Sequence, residues 1–236
     1  MLIRTLILLS AFVLTFSLTN AEETLDEVIE KYKEASKTDE ILAKKAMHAK
    51  LKMQMMAPQE MTIDMEFWHK KDDQYRVEQV TPMGAVTMVI KGDKAWAKTP
   101  MGTQEIPMDE TQNAKLTSDI VSGPFSEEID PEKTMVTLEG KVEEGDKNLI
   151  KIKLIDLEEG RVSYVYLDAI TYLMDKYEVT DGNDITVMQV TERKKADGII
   201  LPKTIEITHK GELVQKMIFE EFEFKDDISD SYFMKP

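Results

Sequence analysis

The apolar positions of the chain follow a helical spacing first and a strand spacing afterwards. Thr24 and Glu27 form a capping-box pattern, and apolar residues then recur every three or four positions through about Ser36. Thr38 and Asp39 are candidate caps for a shorter second helix. The sequence therefore predicts two consecutive helices before the first strand.

From residue 47 onward, apolar and polar residues alternate, which is the period of a β-strand with one buried face. Residues 47–55 and 61–67 follow this rule on either side of the turn sequence MAPQE, so they predict a hairpin. A register shift of one residue would move every apolar side chain to the other face. The side chains that we expect to point inward and line a ligand cavity are Leu51, Met53, Met55, Ile63, Met65 and Phe67.

The alternation continues through the rest of the chain. Further strand-like segments are residues 75–80, 85–90, 94–98, 134–141, 148–155, 162–167, 173–180, 185–191, 203–209 and 213–224. Turn signals separate them, and the tetrapeptide TPMG occurs at both 81–84 and 99–102. Between the two groups of strands, residues 109–121 followed by Gly123 and Pro124 predict a mid-chain helix.

These elements predict an α+β protein that is mainly β, with about ten or more antiparallel strands. A long antiparallel sheet must close on itself or have its apolar face covered, because exposed apolar faces and bare edges aggregate. The N-terminal and mid-chain helices are the available covers. A sheet covered in this way encloses a cavity that accepts apolar matter.

Charge and cysteine content narrow the function. The 45 acidic residues outnumber the 30 basic ones, and the formal charge of -15 repels nucleic-acid phosphates, so we expect no nucleic-acid partner. The absence of cysteine excludes disulfides, thiol nucleophiles and cysteine-ligated metals. A length of 236 residues suits one substantial core.

Residues 1–21 have the layout of a secretory signal peptide. Arg4 precedes an apolar-rich run from Thr5 to Leu18, and small or polar residues end at Ala21. The run is shorter than the roughly 20 apolar residues of a membrane span, and acidic residues follow it instead of a basic stop-transfer cluster. We expect cleavage after Ala21 and a single soluble, exported domain over residues 22–236. An uncleaved anchor is the alternative.

The sequence offers few catalytic or metal-binding candidates. The three histidines, His48, His69 and His209, lie in separate strands without a short paired spacing, and we interpret them as surface residues of polar strand faces. Paired acids such as Glu158 and Glu159 could serve glycoside hydrolysis but lie beside turn residues, where solvated charges are common. We therefore expect no enzyme activity, no metal and no cofactor.

Methionine is present in excess, with 16 in the chain and six in or beside the first hairpin. Thioethers bind Cu(I), whereas unbranched side chains also fill irregular cores and adapt to flexible acyl chains. Core packing, cavity lining and a copper site are thus three interpretations. The strand alternation spreads the sulfurs along two strands and favours the first two.

Five segments carry a resemblance to a known family. Residues 66–78, EFWHKKDDQYRVE, resemble the L/F-W-x-K-R-P-x-x-F/Y-R/N stretch of the outer-membrane lipoprotein-sorting proteins, the LolA/LolB-like superfamily. Residues 89–100, VIKGDKAWAKTP, are similar to the family's V-x-D-G-K-x-x-W-x-x-x-P. Residues 166–173, 197–202 and 227–233 look like its D-x-x-T-y-L, D-G-x-x-x-P and D-x-x-F landmarks. The order of these landmarks is kept over nearly the whole chain that follows the leader.

This resemblance implies a half-open antiparallel β-barrel with helices as a lid. It also implies a periplasmic carrier that shields lipid or lipoprotein acyl chains in a hydrophobic cavity during transport to the outer membrane, with an inner- or outer-membrane protein as a candidate partner. The alternative function is a periplasmic regulatory or sensor module of the same superfamily that binds a membrane-protein partner.

The chain departs from the family pattern at one position that matters for the lid. Lys71 and Asp72 stand where the family's carriers have Arg-Pro, and that arginine is associated with holding the lid closed. The resemblance therefore points to Lys71 as a lid contact. A lysine keeps the charge but lacks the planar five-donor fork of arginine, so the same locking cannot be carried over.

Overall fold

The helices and strands of the computed structural model lie close to those expected from the sequence. The structure describes residues 23–56, 60–72, 74–111, 123–126 and 129–236. The helices are α1 (Leu25–Ser36) and α2 (Thr38–Ala43), and single 3-10 turns occupy Met108–Thr111 and Asp230–Phe233. The strands are β1 (Ala46–Met55), β2 (Met61–Lys70), β3 (Gln74–Thr81), β4 (Gly84–Lys91), β5 (Lys94–Thr99), β6 (Gly102–Ile106), β7 (Thr134–Glu144), β8 (Lys147–Asp156), β9 (Val162–Asp168), β10 (Met174–Asp181), β11 (Asp184–Ala196), β12 (Ile199–His209) and β13 (Glu212–Lys225).

All thirteen strands belong to one antiparallel sheet that does not close. Its order is β6-β5-β4-β3-β2-β1-β13-β12-β11-β10-β9-β8-β7, so every neighbouring pair except β1 and β13 is a hairpin along the chain. The first and last strands meet in the middle of the sheet, and β6 and β7 form its two edges. This is the mainly β, half-open barrel with helices that the sequence and the resemblance predict.

Strand β6 and the start of helix α2 differ from what the sequence predicts, and the predicted mid-chain helix lies mostly outside the described residues. Strand β6 was not expected, because its sequence GTQEI lacks the apolar alternation that marks the other strands. Helix α2 begins at Thr38 itself, and its N-cap is Lys37 in the left-handed conformation, without a side-chain cap. The predicted caps of α2 were therefore wrong. The predicted mid-chain helix falls mostly on residues 112–122, which lie outside the described residues.

Helix α1 begins as the capping box predicts. The Oγ1 atom of Thr24 accepts a hydrogen bond from the Glu27 backbone N at 3.3 Å, and Glu27 Oε2 accepts one from the Thr24 backbone N at 2.8 Å. The buried side chains of α1 are Val28 and Tyr32, one turn apart on the face toward the sheet. No helix among the described residues is long and apolar enough to cross a lipid bilayer.

The face of the sheet away from the helices, called here the outer face, is covered in part by residues 227–234, the C-terminal clasp. Phe233 is fully buried in a small cluster with Trp68 and Val89. Lys70 Nζ donates to the Ile228 carbonyl at 2.9 Å and pairs with Asp230 at 2.6 Å. The clasp is therefore held by both apolar packing and charge.

His48 lies on this outer face, and the prediction that it is a surface residue was wrong. Its ring stacks on Trp68 with centroids 4.9 Å apart, and only 8% of the residue is exposed. The ring nitrogens lie 3.1 Å from Glu66 Oε2 and 3.5 Å from Glu223 Oε2. The face was assigned correctly, but an aromatic neighbour on the adjacent strand buries the ring.

The two TPMG segments form matching turns at the same end of the sheet. In each, the threonine hydroxyl accepts a hydrogen bond from the methionine backbone N and donates one to the glycine carbonyl. Met83 and Met101 project from the two tips and are 87% and 96% exposed. The repeated sequence therefore reflects repeated turn chemistry, as expected.

Candidate functional site

The face of the sheet beneath the helices, called here the inner face, carries the larger apolar cluster. It spans the strands from β6 through β1 and β13 to β11, and Ile41 of α2 packs into it. Met47, Ala49 and Leu51 contribute every second residue of β1, which is how a strand presents one face to a core. We call this set of residues the β1 cluster.

The six predicted cavity residues share this inner face. Leu51 pairs with Met65, Met53 with Ile63, and Phe67 with Ala49, which is the register that the alternation predicts. Leu51, Ile63 and Phe67 are buried, and Met53, Met55 and Met65 are half-buried. The structure thus brings the set together as a partly open apolar surface, and its contact with a ligand stays a prediction.

Two pairs of methionines meet on the same face. Met53 lies opposite Met217 of β13, and Met55 lies opposite Met61 of β2. Met217 belongs to the β1 cluster, and Met65, Met88 and Met188 pack against it. Most of these side chains therefore lie among apolar neighbours, as the core-packing and cavity-lining interpretations require.

A second apolar cluster, called here the α1 cluster, lies beneath α1. Val28 and Tyr32 pack there against Phe125 and the inner faces of β8 and β9, and the Tyr32 and Phe125 rings meet edge to face at 5.4 Å. Burial raises the pKa of the Tyr32 hydroxyl well above its ordinary value. Met174 packs against both clusters and so lies at the junction between them.

Polar contacts tie the start of α1 to the turn between β9 and β10. The Tyr172 hydroxyl donates to Glu23 Oε1 at 2.6 Å, and Lys31 pairs with the same carboxylate. These hydrogen bonds hold the pKa of Glu23 below its ordinary value, Lys31 contributing most. Because the contacts are solvent-exposed at their rim, they orient the helix more than they stabilise it.

A recess lies beneath the helices at the junction of the two clusters. It is a small, half-open recess with a cavity volume of about 40 Å³, and Tyr32, Ile41, Met174 and Val190 are among its apolar walls. Arg193 of β11 also lines it and donates from Nη2 to the Met174 carbonyl at 2.6 Å. Burial lowers the pKa of Arg193, and the charges of Asp175 and Asp168 oppose that shift.

Lys71 lies near the end of α2. Its backbone N donates to the Lys45 carbonyl at 3.1 Å, and its side chain borders a shallow recess with Ile41 and Leu42. Within the described part of the chain, its ammonium group forms no hydrogen bond or ion pair with either helix. Its role as a lid contact stays a prediction.

Arg193 was missed at the sequence level. It stands in the charge run Glu192-Arg-Lys-Lys195, which followed the expected end of a strand. The strand in fact continues to Ala196, and irregularities in its pairing beside Val190 and Glu192 change which residues face inward. The one signal in the sequence was the use of arginine instead of lysine at this position, because only four residues of this lysine-rich chain are arginine.

The fold is shared with solved structures of the LolA type. A LolA superfamily protein from Nitrosomonas europaea matches at a TM-score of 0.63 with 16% identity, over 90% of this chain and 98% of that one. A DUF1329 family protein from Desulfovibrio piger matches at 0.60 with 14% identity, over 88% and 97%. A Vibrio parahaemolyticus protein described as an outer membrane lipoprotein-sorting protein domain matches at 0.58 with 16% identity, over 87% and 95%.

Comparison by sequence adds no further relative. No family model matches the chain, and no curated protein matches it. At identities of 14–16%, the structural matches establish the LolA-type fold.

Proposed function

We propose that the protein is a periplasmic carrier that shields lipid or lipoprotein acyl chains on its inner face during transport to the outer membrane. The role requires no catalysis and no cofactor, because moving apolar surface out of water supplies about 25 cal/mol per Å². The LolA-type fold and the lipoprotein-sorting description of one structural neighbour support this role.

The observation that carries the proposal is the partly open apolar surface of β1 and β2. Met53, Met55 and Met65 are half-buried beside the fully packed Leu51 and Phe67. Flexible thioether side chains at such a boundary can repack around chains of differing shape. A sheet used for packing alone would have no need of an adaptable, partly exposed margin.

The test places a charge on this surface. Met65→Glu is expected to abolish binding of a fluorescent fatty acid, because a carboxylate forced against acyl chains loses hydration without gaining a partner. Thr62→Glu is the matched control, since Thr62 is an exposed residue of the same strand on the opposite face. The control should retain binding, and circular dichroism must show that both variants are folded.

A photoactivatable fatty acid provides the measurement that needs no variant. Crosslinks mapped by mass spectrometry should fall on β1 and β2 residues of the inner face. Wild-type protein that binds no apolar ligand, or crosslinks confined to the outer face, would overturn the carrier role. The first of these results would favour a regulatory module that binds a membrane protein.

A further inference from the structure

Arg193 is a cation at the wall of an apolar recess, and among the described residues no carboxylate forms a direct ion pair with it. Its acceptor among the described residues is a single backbone carbonyl, that of Met174. A guanidinium carries five N–H donors and stays protonated in proteins, so burial without a counter-ion is unfavourable. The side chain is half-buried and therefore has N–H donors to spare at the wall of the recess.

The nearest carboxylates are already engaged by other groups. Asp175 accepts from Lys147 at 2.7 Å and from the Gln189 amide at 2.8 Å. Asp168 accepts hydrogen bonds from two backbone N–H groups in the turn that follows β9. It also accepts one from the Thr171 hydroxyl at 2.9 Å. Both act on Arg193 through their charge at a distance, and neither accepts a hydrogen bond from it.

We propose that Arg193 is the seat for the acid group of an anionic amphiphile, a carboxylate or a phosphate, whose hydrocarbon chain lies on the inner face. The recess joins the two apolar clusters at Met174, so a chain that leaves the guanidinium meets apolar side chains on either side. The planar fork of arginine suits both acid groups. This inference rests on the proposed carrier function and specifies the class of lipid.

The test compares ligands that differ only in the head group. Oleate, oleyl phosphate and oleyl alcohol each displace the uncharged probe N-phenyl-1-naphthylamine from the full-length mature protein. We expect both acids to displace the probe at concentrations about tenfold or more below that of the alcohol, because a charge-assisted hydrogen bond is lost with the alcohol. The order of the two acids tells which acid group is preferred.

Variants assign the preference to one side chain. Arg193→Gln should remove the preference for acids and leave alcohol binding unchanged, and Arg193→Lys should keep part of it. Arg161→Gln is the control, since Arg161 is an exposed arginine paired with Glu159 in the turn before β9. If Arg193 only held the Met174 carbonyl in place, its substitution would leave the ratio of acid to alcohol affinity unchanged.

The outcomes separate this inference from the carrier function. Equal binding of acids and alcohol by the wild type, or an unchanged preference in Arg193→Gln, overturns the anion seat and leaves the carrier function standing. Failure to bind any of the three ligands overturns both. If Arg193→Gln does not fold, ¹³C NMR titration of carboxyl-labelled oleate bound to the wild type decides. The bound carboxyl should have a pKa below its ordinary value, and an unchanged or raised one contradicts the seat.

Discussion

The backbone of Gly123 lies against Tyr32 of helix α1, and the missing side chain of the glycine permits this contact. A Cβ atom at this position would come within 1.7 Å of the Tyr32 hydroxyl oxygen, and the backbone has a φ of +88°. Both the space and the conformation therefore require glycine. Tyr32 packs with Val28 in the α1 cluster, so the space left by this glycine permits one of the two buried contacts of α1.

Gly123→Ala is expected to destabilise the protein by about 1–3 kcal/mol, because the new methyl group must displace the Tyr32 ring. The measurement is the midpoint of urea unfolding. Combining the change with Tyr32→Phe should recover part of the loss, since the hydroxyl oxygen is the closest atom and the ring carbon behind it lies at 2.9 Å. A double variant no more stable than Gly123→Ala would show that the contact with the hydroxyl oxygen is not the source of the loss.

The ion pairs of Lys70 in the C-terminal clasp should make the stability of the protein depend on pH. Hydrogen bonds from Lys70 hold the pKa values of Asp227 and Asp230 below their ordinary values. A carboxyl whose pKa is lower in the folded state than in the unfolded state stabilises the fold at pH values above its unfolded pKa of about 3.9. This stabilisation is lost as the pH falls through the folded-state pKa. The clasp should therefore be held at neutral pH and released in acid.

Lys70→Met tests this dependence. The wild type should unfold at a higher urea concentration than the variant at pH 7. The difference should shrink as pH falls from about 3.9 through the lowered folded-state pKa values, because both carboxyls become protonated. Comparing the two proteins at each pH removes the contribution of all other acids. A difference that persists unchanged in acid would show that Lys70 acts through its packing rather than its charge.

At the scale of elements, the sequence predicts a strand and its register best where the alternation of neighbouring residues determines which face is buried. The alternation of residues 47–67 predicted the hairpin register, because one buried face specifies it. The same rule failed beyond Val190, where pairing irregularities change the phase and place Arg193 toward the helices. Strand β6 has no apolar alternation, so only its pairing with β5 makes it a strand. Local pattern cannot reveal either feature.

The capping box of α1 is a prediction at this scale. Thr24→Ala should destabilise the protein by about 1 kcal/mol, because it leaves the Glu27 backbone N without its side-chain acceptor. Thermal unfolding followed by circular dichroism measures the loss. Thr24→Ser, which keeps the hydroxyl, should remain close to the wild type. Equal losses in both variants would point to the methyl group rather than the cap.

At the scale of the whole molecule, the prediction to test first is that residues 1–21 are a cleaved signal peptide. Residues 1–22 lie outside the described part of the chain, so cleavage after Ala21 stays a prediction. N-terminal sequencing of the protein from the periplasmic fraction of its native cells should read Glu22, Glu23 and Thr24. Met1 retained in a membrane fraction would instead establish an uncleaved anchor.

The class of the sheet was predictable from the sequence pattern, whereas the pairing of its first strand with its last was not. Turn signals and alternation indicated a mainly β chain of hairpins, but they are local and say nothing about which distant strands pair. The pairing of β1 with β13 and the burial of His48 by Trp68 both depend on tertiary contacts. The predicted anionic seat likewise exists only because α1, α2, β10 and β11 converge on one recess.

The pairing of the first strand with the last has a consequence for the order of folding. Contacts across it join residues far apart in the chain, such as His48 and Glu223 at a separation of 175 positions, whereas every other strand pair is a hairpin. Closing so long a loop is slow, so the hairpins of β1 to β6 and those of β7 to β13 should form before β1 and β13 join them.

In stopped-flow measurements, Phe222→Leu at the junction of β1 and β13 should mainly speed unfolding, and Val165→Ala within β9 should slow refolding. Refolding slowed chiefly by Phe222→Leu would mean that the two chain ends meet first.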